Sequence, residues 1–283
     1  MSDGDKVFRR IQSAARSATG KGASGVPTQE YLIRHVLESF LDRLTRTPHV
    51  DDFVLKGGIL LAAYDIRRPT KDVDANAISA DVTAEHLARV VRDIAAVVVD
   101  DGVIFDVAGI AVQDIREQAA YPGLRVRVPA SIGSWQGVAA WDVSTGDPIV
   151  PAPRPVTIDR ILGPPITLLG YAAETSMAEK GVTILERGIT STRWRDYVDI
   201  VGLGRQGFDE AELLRAARAV AHHRDVVLGP VAPFLKGYAE VGQAKWAAWR
   251  RKERLESQCE ENLDDQVALV ASFLDPTFAL GPG

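Results

Sequence analysis

The sequence predicts an α+β fold: a mixed sheet flanked by helices, followed by a helical C-terminal half. Three observations lead there. A strand, a Gly-Gly turn, a short helix and a second strand follow one another from Phe53 to Asp74. Four short β-like runs then fill most of residues 103–143. Beyond a proline-dense stretch, the remaining segments have the apolar spacing of amphipathic helices.

Residues 5–19 place Phe8, Ile11 and Ala15 on one helical face. Thr28 has the chemistry of an N-cap for a helix from Gln29 to about Arg46, whose Leu32, Val36, Phe40 and Leu44 recur at helical spacing. After the strand–turn–helix–strand unit, Asp81 or Thr83 opens a helix to about Val98, apolar at Leu87, Val90, Val91 and Ile94. Val103–Val107, Ile110–Ile115 and Leu124–Val128 read as strands, the last alternating as Leu-Arg-Val-Arg-Val, and Val138–Val143 as another that carries Asp142. Prolines at 148, 151, 153, 155, 164 and 165 stop helices and suit an extended surface connection. The expected boundary lies there, dividing an α/β domain (1–150) from a mainly helical one (151–283). Helices are expected over about 167–187, 193–204, 209–222, 231–254 and 262–274.

Chemistry concentrates in two blocks. In the first, Asp72 and Asp74 are two residues apart on a strand, so both carboxylates leave one face and repel each other unless a cation lies between them. A hard divalent ion such as Mg²⁺ takes such oxygen ligands and leaves positions open for phosphate oxygens. Gly57 and Gly58 let backbone approach a ligand closely, and free amides at a helix start suit phosphate. Lys56 beside them can neutralise a triphosphate. Thr70 and Lys71, just before Asp72, can support sugar or phosphate, although Thr70 is equally a turn residue after Pro69. Asp142 is the candidate third metal carboxylate; a strand-end Asp that faces water or caps the Ser144-Thr-Gly turn is the alternative. In the second block, Lys180 interrupts an apolar helical pattern and needs an anionic partner, while Arg193, Asp196 and Asp199 share a face of the next helix. Either these charges pair with one another, or Lys180 touches phosphate and Asp196 orients Lys180 or the attacking hydroxyl.

Composition excludes other classes. With 46% hydrophobic and 25% charged residues the chain is an ordinary globular one, and no apolar run approaches a membrane span. The N-terminus lacks a secretory pattern, so cytoplasm is the expected location. A lone Cys259 permits neither an intrachain disulfide nor a multi-cysteine zinc site. The histidines (35, 49, 86, 222, 223) lack metal-ligand spacing, and Ser131 and Ser134 have no nearby His for a hydrolase triad. A net charge of −5 gives no general nucleic-acid footprint. The basic run Lys245, Arg250, Arg251, Lys252 and Arg254 is a solvated helix face or an RNA contact, and Trp246 and Trp249 within it are packing residues or base-stacking platforms.

A Gly-Gly turn, a short helix and a basic or hydroxyl residue before Asp-x-Asp resemble the polymerase-β-like nucleotidyltransferases. Glu179-Lys180, followed by Arg193-x-Arg-Asp196-Tyr-Val-Asp199, resembles their AbiEii/AbiGii toxin branch, which includes the mycobacterial MenT toxins. The resemblance covers about residues 30–205. It implies a toxin of a toxin–antitoxin pair that transfers a nucleotide from an NTP with Mg²⁺ (or Mn²⁺), in mycobacterial members to the tRNA 3′ end, which blocks translation. Carried over, Lys56, Gly57 and Gly58 hold the triphosphate, Asp72 and Asp74 bind metal, and Lys180 and Asp196 match the later functional pair. Thr70 stands where many relatives have serine. A cognate antitoxin is the implied partner. A same-fold enzyme acting on a protein or small-molecule hydroxyl, a phosphotransferase and a non-catalytic nucleotide binder are the alternatives.

Overall fold

A computed structural model describes residues 3–19, 27–115 and 123–281. Its contacts divide the chain into two compact units. One holds Met1–Ala63, Pro69–Gly146 and Pro155–Gly170; the other holds Tyr64–Arg68, Asp147–Arg154 and Tyr171–Gly283. Among the described residues, no helix is long and apolar enough to cross a membrane.

The first unit is built on an eight-stranded mixed sheet. Its members are β1 (Phe53–Lys56), β2 (Asp72–Ala77), β3 (Val103–Phe105), β4 (Ala111–Ile115), β5 (Gly123–Ile132), β6 (Trp135–Ser144), β7 (Arg154–Ile158) and β8 (Ile166–Gly170). The order is β3-β5-β6-β2-β1-β8-β7, with β4 paired to β5 as well. β1–β2 and β5–β6 are antiparallel, whereas β2–β6 and β1–β8 are parallel. Helices α1 (Asp3–Thr19), α2 (Thr28–Leu44) and α4 (Ala84–Ala96) accompany it, and α3 (Gly57–Leu60) is the single turn between β1 and β2. Trp141 stands in register with Val73 on the covered face, and its ring meets Phe53 at 4.7 Å and Phe40 of α2 at 5.6 Å. Large aromatic rings edge to face on that side make it the core, and force the alternate residues of β2 and β6 to the other face.

Several local expectations hold and others are corrected. Thr83 caps α4 by accepting from the His86 amide. Thr28, expected as a cap, is instead the first residue of α2; Pro27 precedes it with extended backbone and no side-chain cap bond. The proline stretch is more than a connection, because β7 and β8 join the sheet. Pro155 is tolerated because β7 lies at the sheet edge, where a missing donor costs little. Buried Glu38 of α2 accepts from the Ile161 amide at 2.8 Å, and Arg160 lies 3.3 Å from Asp42, which fastens this stretch to the sheet unit.

The second unit comprises α5 (Ala173–Arg187), α6 (Trp194–Gln206), α7 (Glu210–His223), the single turn α8 (Val231–Phe234), α9 (Tyr238–Glu253) and α10 (Leu263–Phe278). The helix expected from 167 begins at Ala173, since Ile166–Gly170 is strand; a short apolar run suits either period. The helix expected over 231–254 is two, broken at Gly237, whose φ of +79° belongs to the left-handed region. Two segments from elsewhere in the chain complete the unit. Tyr64 donates to the Tyr171 carbonyl at 2.6 Å, and Arg224, just after α7, grips Asp147 at 2.9–3.0 Å. Trp194 donates to the Tyr238 hydroxyl at 2.7 Å, which in turn donates to the Ser191 carbonyl.

Candidate active site

Strand register aligns the first block. Lys56 pairs with Asp74, Asp74 with Asp142, and Asp142 with Arg125, so one row across β1, β2, β6 and β5 reads Lys-Asp-Asp-Arg on a single face. Asp72 lies one pleat away on the same face, opposite Ala140. Arg125 donates from Nε to Asp142 Oδ1 at 2.6 Å and from its terminal nitrogen to Oδ2 at 2.5 Å; that nitrogen is also 3.5 Å from Asp72 Oδ2. The bond to Asp142, reinforced by the charges of Asp72 and Asp74, raises the Arg125 pKa above its ordinary value. Arg127, two residues on, donates to Gln113 at 2.5 Å.

Gly57 has φ +69°, and a Cβ on it would fall 1.9 Å from Asp74 Oδ2. The space a side chain would fill is therefore taken by the Asp74 carboxylate, and glycine is required here twice over, by conformation and by room. Thr70 Oγ1 lies 3.3 Å from the Asp72 carbonyl and 3.5 Å from its carboxylate, which puts the hydroxyl against Asp72. Lys71 is exposed.

The second block is a ladder of alternating charge within the helical unit. Lys180 Nζ donates to Asp196 Oδ1 at 2.9 Å and to Asp199 Oδ2 at 2.8 Å. Arg193 Nε holds the other Asp196 oxygen at 2.7 Å, and Arg68 grips Asp199 through Nε at 2.6 Å and a terminal nitrogen at 2.9 Å. Burial opposes the Lys180 ammonium, yet the two carboxylates outweigh it and raise its pKa. Burial likewise opposes the carboxylates. Lys180 and Arg193 still lower Asp196, and Lys180 with Arg68 brings Asp199 down to about 2. Lys180 is thus a fixed cation at neutral pH, and Asp196, with both oxygens engaged, is a poor proton acceptor.

The late basic run divides. Arg250 is buried and bonds the Glu256 and Cys259 carbonyls, while Lys245, Arg251, Lys252 and Arg254 are exposed. Trp246 is wholly buried and donates to the Glu260 carbonyl, so it cannot stack on a base; Trp249 stacks on it at 5.3 Å.

Two residues escaped the sequence reading. Arg125 had a signal: Gly133-Ser134 is the two-residue turn between β5 and β6, with Gly133 at φ +57°, and counting back from it pairs Arg125 with Asp142. The Arg68–Asp199 pair, 131 residues apart, had none.

Among the described residues, no three His, Cys, Asp or Glu side chains converge into a set that could hold a metal ion. Asp72 and Asp74 nonetheless fit one. They offer only oxygen, as Mg²⁺ and Mn²⁺ prefer, and one or two carboxylates plus substrate phosphates is how Mg²⁺ is commonly held.

The architecture is shared with solved structures. A candidate nucleotidyltransferase from H. pylori superimposes with a TM-score of 0.51 at 16% identity, covering 88% of this chain and 94% of that one. JHP933 from Helicobacter pylori gives 0.50 at 16%, covering 88% and 91%. No curated protein matches in sequence. The class, a nucleotidyltransferase, is shown by a family match over most of the chain. Residues 39–271 match the family described as nucleotidyl transferase AbiEii toxin, type IV toxin–antitoxin system, and the chain belongs to that family.

Proposed function

We propose that this chain is a divalent-metal-dependent nucleotidyltransferase toxin that transfers a nucleotide from an NTP to RNA, at the 3′ end of tRNA, and so blocks translation. The observation that supports it most is the registered row Lys56–Asp74–Asp142–Arg125 with Asp72 beside it. The reaction is attack of a hydroxyl on the α-phosphorus, forming one P–O bond while the bond to pyrophosphate breaks. Asp72 and Asp74 would hold Mg²⁺ or Mn²⁺, which when bound stabilises the charge on the phosphoryl oxygens. Lys56 supplies a point charge for the triphosphate, and Gly57 and Gly58 admit it closely. Lys180 acts as a phosphate cation and not as a base, in keeping with its raised pKa. Asp196 orients Lys180. Thr70 steadies Asp72, and Lys71 is a further phosphate contact.

RNA as acceptor is our reading of a toxin of this family, and the exposed Lys245, Arg251, Lys252 and Arg254 on and beside α9 are consistent with it. A cognate antitoxin is the expected partner, in the cytoplasm. Incubation with each labelled NTP, Mg²⁺ and total tRNA tests the reading. Label at the tRNA 3′ end, lost with Asp72→Ala, is expected. Label on protein or a small molecule alone would assign a different acceptor, and growth inhibition undiminished by Asp72→Ala would end the catalytic-toxin reading.

A further inference from the structure

A face bearing three carboxylates would ordinarily draw two divalent ions, sharing ligands. Here the same face already carries positive charge. Arg125 takes both oxygens of Asp142 in a two-pronged bond at 2.5–2.6 Å, and its fork reaches within 3.5 Å of Asp72. Lys56 closes the other end of the row, against Asp74. Three carboxylates opposed by one arginine and one lysine leave the group a single negative charge. One divalent ion turns that to a single positive charge, and a second would enter against it. Arg127, on the same face of β5, adds to that opposition. A guanidinium does not deprotonate in proteins, so this cation is permanent. Its planar fork also matches a carboxylate better than a lone ammonium would.

We infer that Arg125 is a built-in cation that withdraws Asp142 from the metal set, so that the acidic face takes one divalent ion, on Asp72 and Asp74. This rests on the nucleotidyltransferase reading of the same face. Arg125 is a positioning residue on this account: it fixes Asp142 and sets the number and tightness of ions beside it. Removing it would leave three carboxylates on adjacent strands with only Lys56 in the row to oppose them. Divalent affinity then rises, because each unit of nearby charge acts twice over on a doubly charged ion.

The probe is Mn²⁺ alone, its free concentration followed by electron paramagnetic resonance, with the full chain and no nucleotide. Wild type is expected to bind one ion, lost in Asp74→Asn. Arg125→Gln is expected to bind a second ion or the first at least roughly tenfold more tightly, and Arg125→Gln/Asp142→Asn to return to the wild-type value. Arg125→Lys, which keeps charge but loses the fork, should shift in the same direction by less, and serves where the glutamine variant does not fold. Two ions bound by wild type, or no change on replacing Arg125, would overturn the inference and leave the metal-dependent reading intact. Failure of wild type to bind Mn²⁺ at all would overturn both.

Discussion

The sheet unit and the helical unit each carry a line of alternating charges, but the two lines solve different problems. On the sheet Asp72 and Arg125 are partly exposed, with 33% and 28% of their side-chain exposure, and Asp142 keeps 13%. Carboxylates outnumber cations there, and Asp74 sits in register beside Asp142. In the helical unit Asp199 is fully buried, Lys180 keeps 14%, and every carboxylate oxygen of Asp196 and Asp199 has a cationic donor. Cations outnumber carboxylates. Like charges side by side make the first line poor for stability and ready for a cation. The second is satisfied internally and leaves one positive charge over, suited to phosphate.

That contrast breaks most easily at Asp74. Asp74→Asn should lower NTP transfer on the order of a thousandfold while leaving the urea midpoint unchanged or raised, because it relieves carboxylate repulsion. A large fall in stability together with activity would show that the sheet line is structural after all.

Lys180→Met asks the opposite of the helical line. It removes the shared cation from two buried carboxylates, each left with one arginine. The expected cost is about 3 kcal/mol of stability, read from urea unfolding, together with loss of transfer. A variant as stable as wild type would mean that the two arginines alone hold the ladder.

Acid sharpens the same point. Lys180 and Arg68 hold Asp199 down at about 2 against the usual 3.8. A lowered carboxylate contributes stability that is fully present above the unfolded value and lost as pH falls through the folded one. The contribution, on the order of 2 kcal/mol, should therefore disappear between about pH 4 and pH 2. Asp199→Asn should be less stable than wild type at pH 5, and the gap should close as pH falls across that window. A constant gap would place the cost in packing.

What was readable from sequence follows the same division. The Asp72/Asp74 pair, the Gly-Gly turn and Asp142 on its strand are expressed in short-range periodicity, and each is found on the expected element. Lys180, Asp196 and Asp199 fell on helices as expected, but the competing account of them, an internal ion pair, describes the contacts observed. Arg68 carried no signal, because its partner Asp199 lies 131 residues along the chain and pairs by tertiary placement. The proline-dense stretch misled for a different reason. Proline argues against strands in a sheet interior and says nothing against an edge, and only the sheet order reveals that β7 lies there.

Gly57 joins local conformation to the carboxylate face, and it yields the smallest predicted effect. Gly57→Ala meets two obstacles: a left-handed backbone, worth about 1–2 kcal/mol for a residue with a side chain, and an overlap with Asp74, whose Oδ2 would be 1.9 Å and Cγ 2.5 Å from the new Cβ. A double-mutant cycle separates them. In the Asp74→Ala background the carboxylate is gone, and only the backbone strain and the 2.7 Å approach to the Cβ of residue 74 remain, so Gly57→Ala should cost less there than in wild type. Asparagine tolerates the left-handed region better than alanine but brings the same Cβ, so Gly57→Asn should recover part of the strain and none of the overlap. If alanine costs the same with and without Asp74, the carboxylate is free to move aside, and Gly57 serves the chain's turn and not the placement of Asp74.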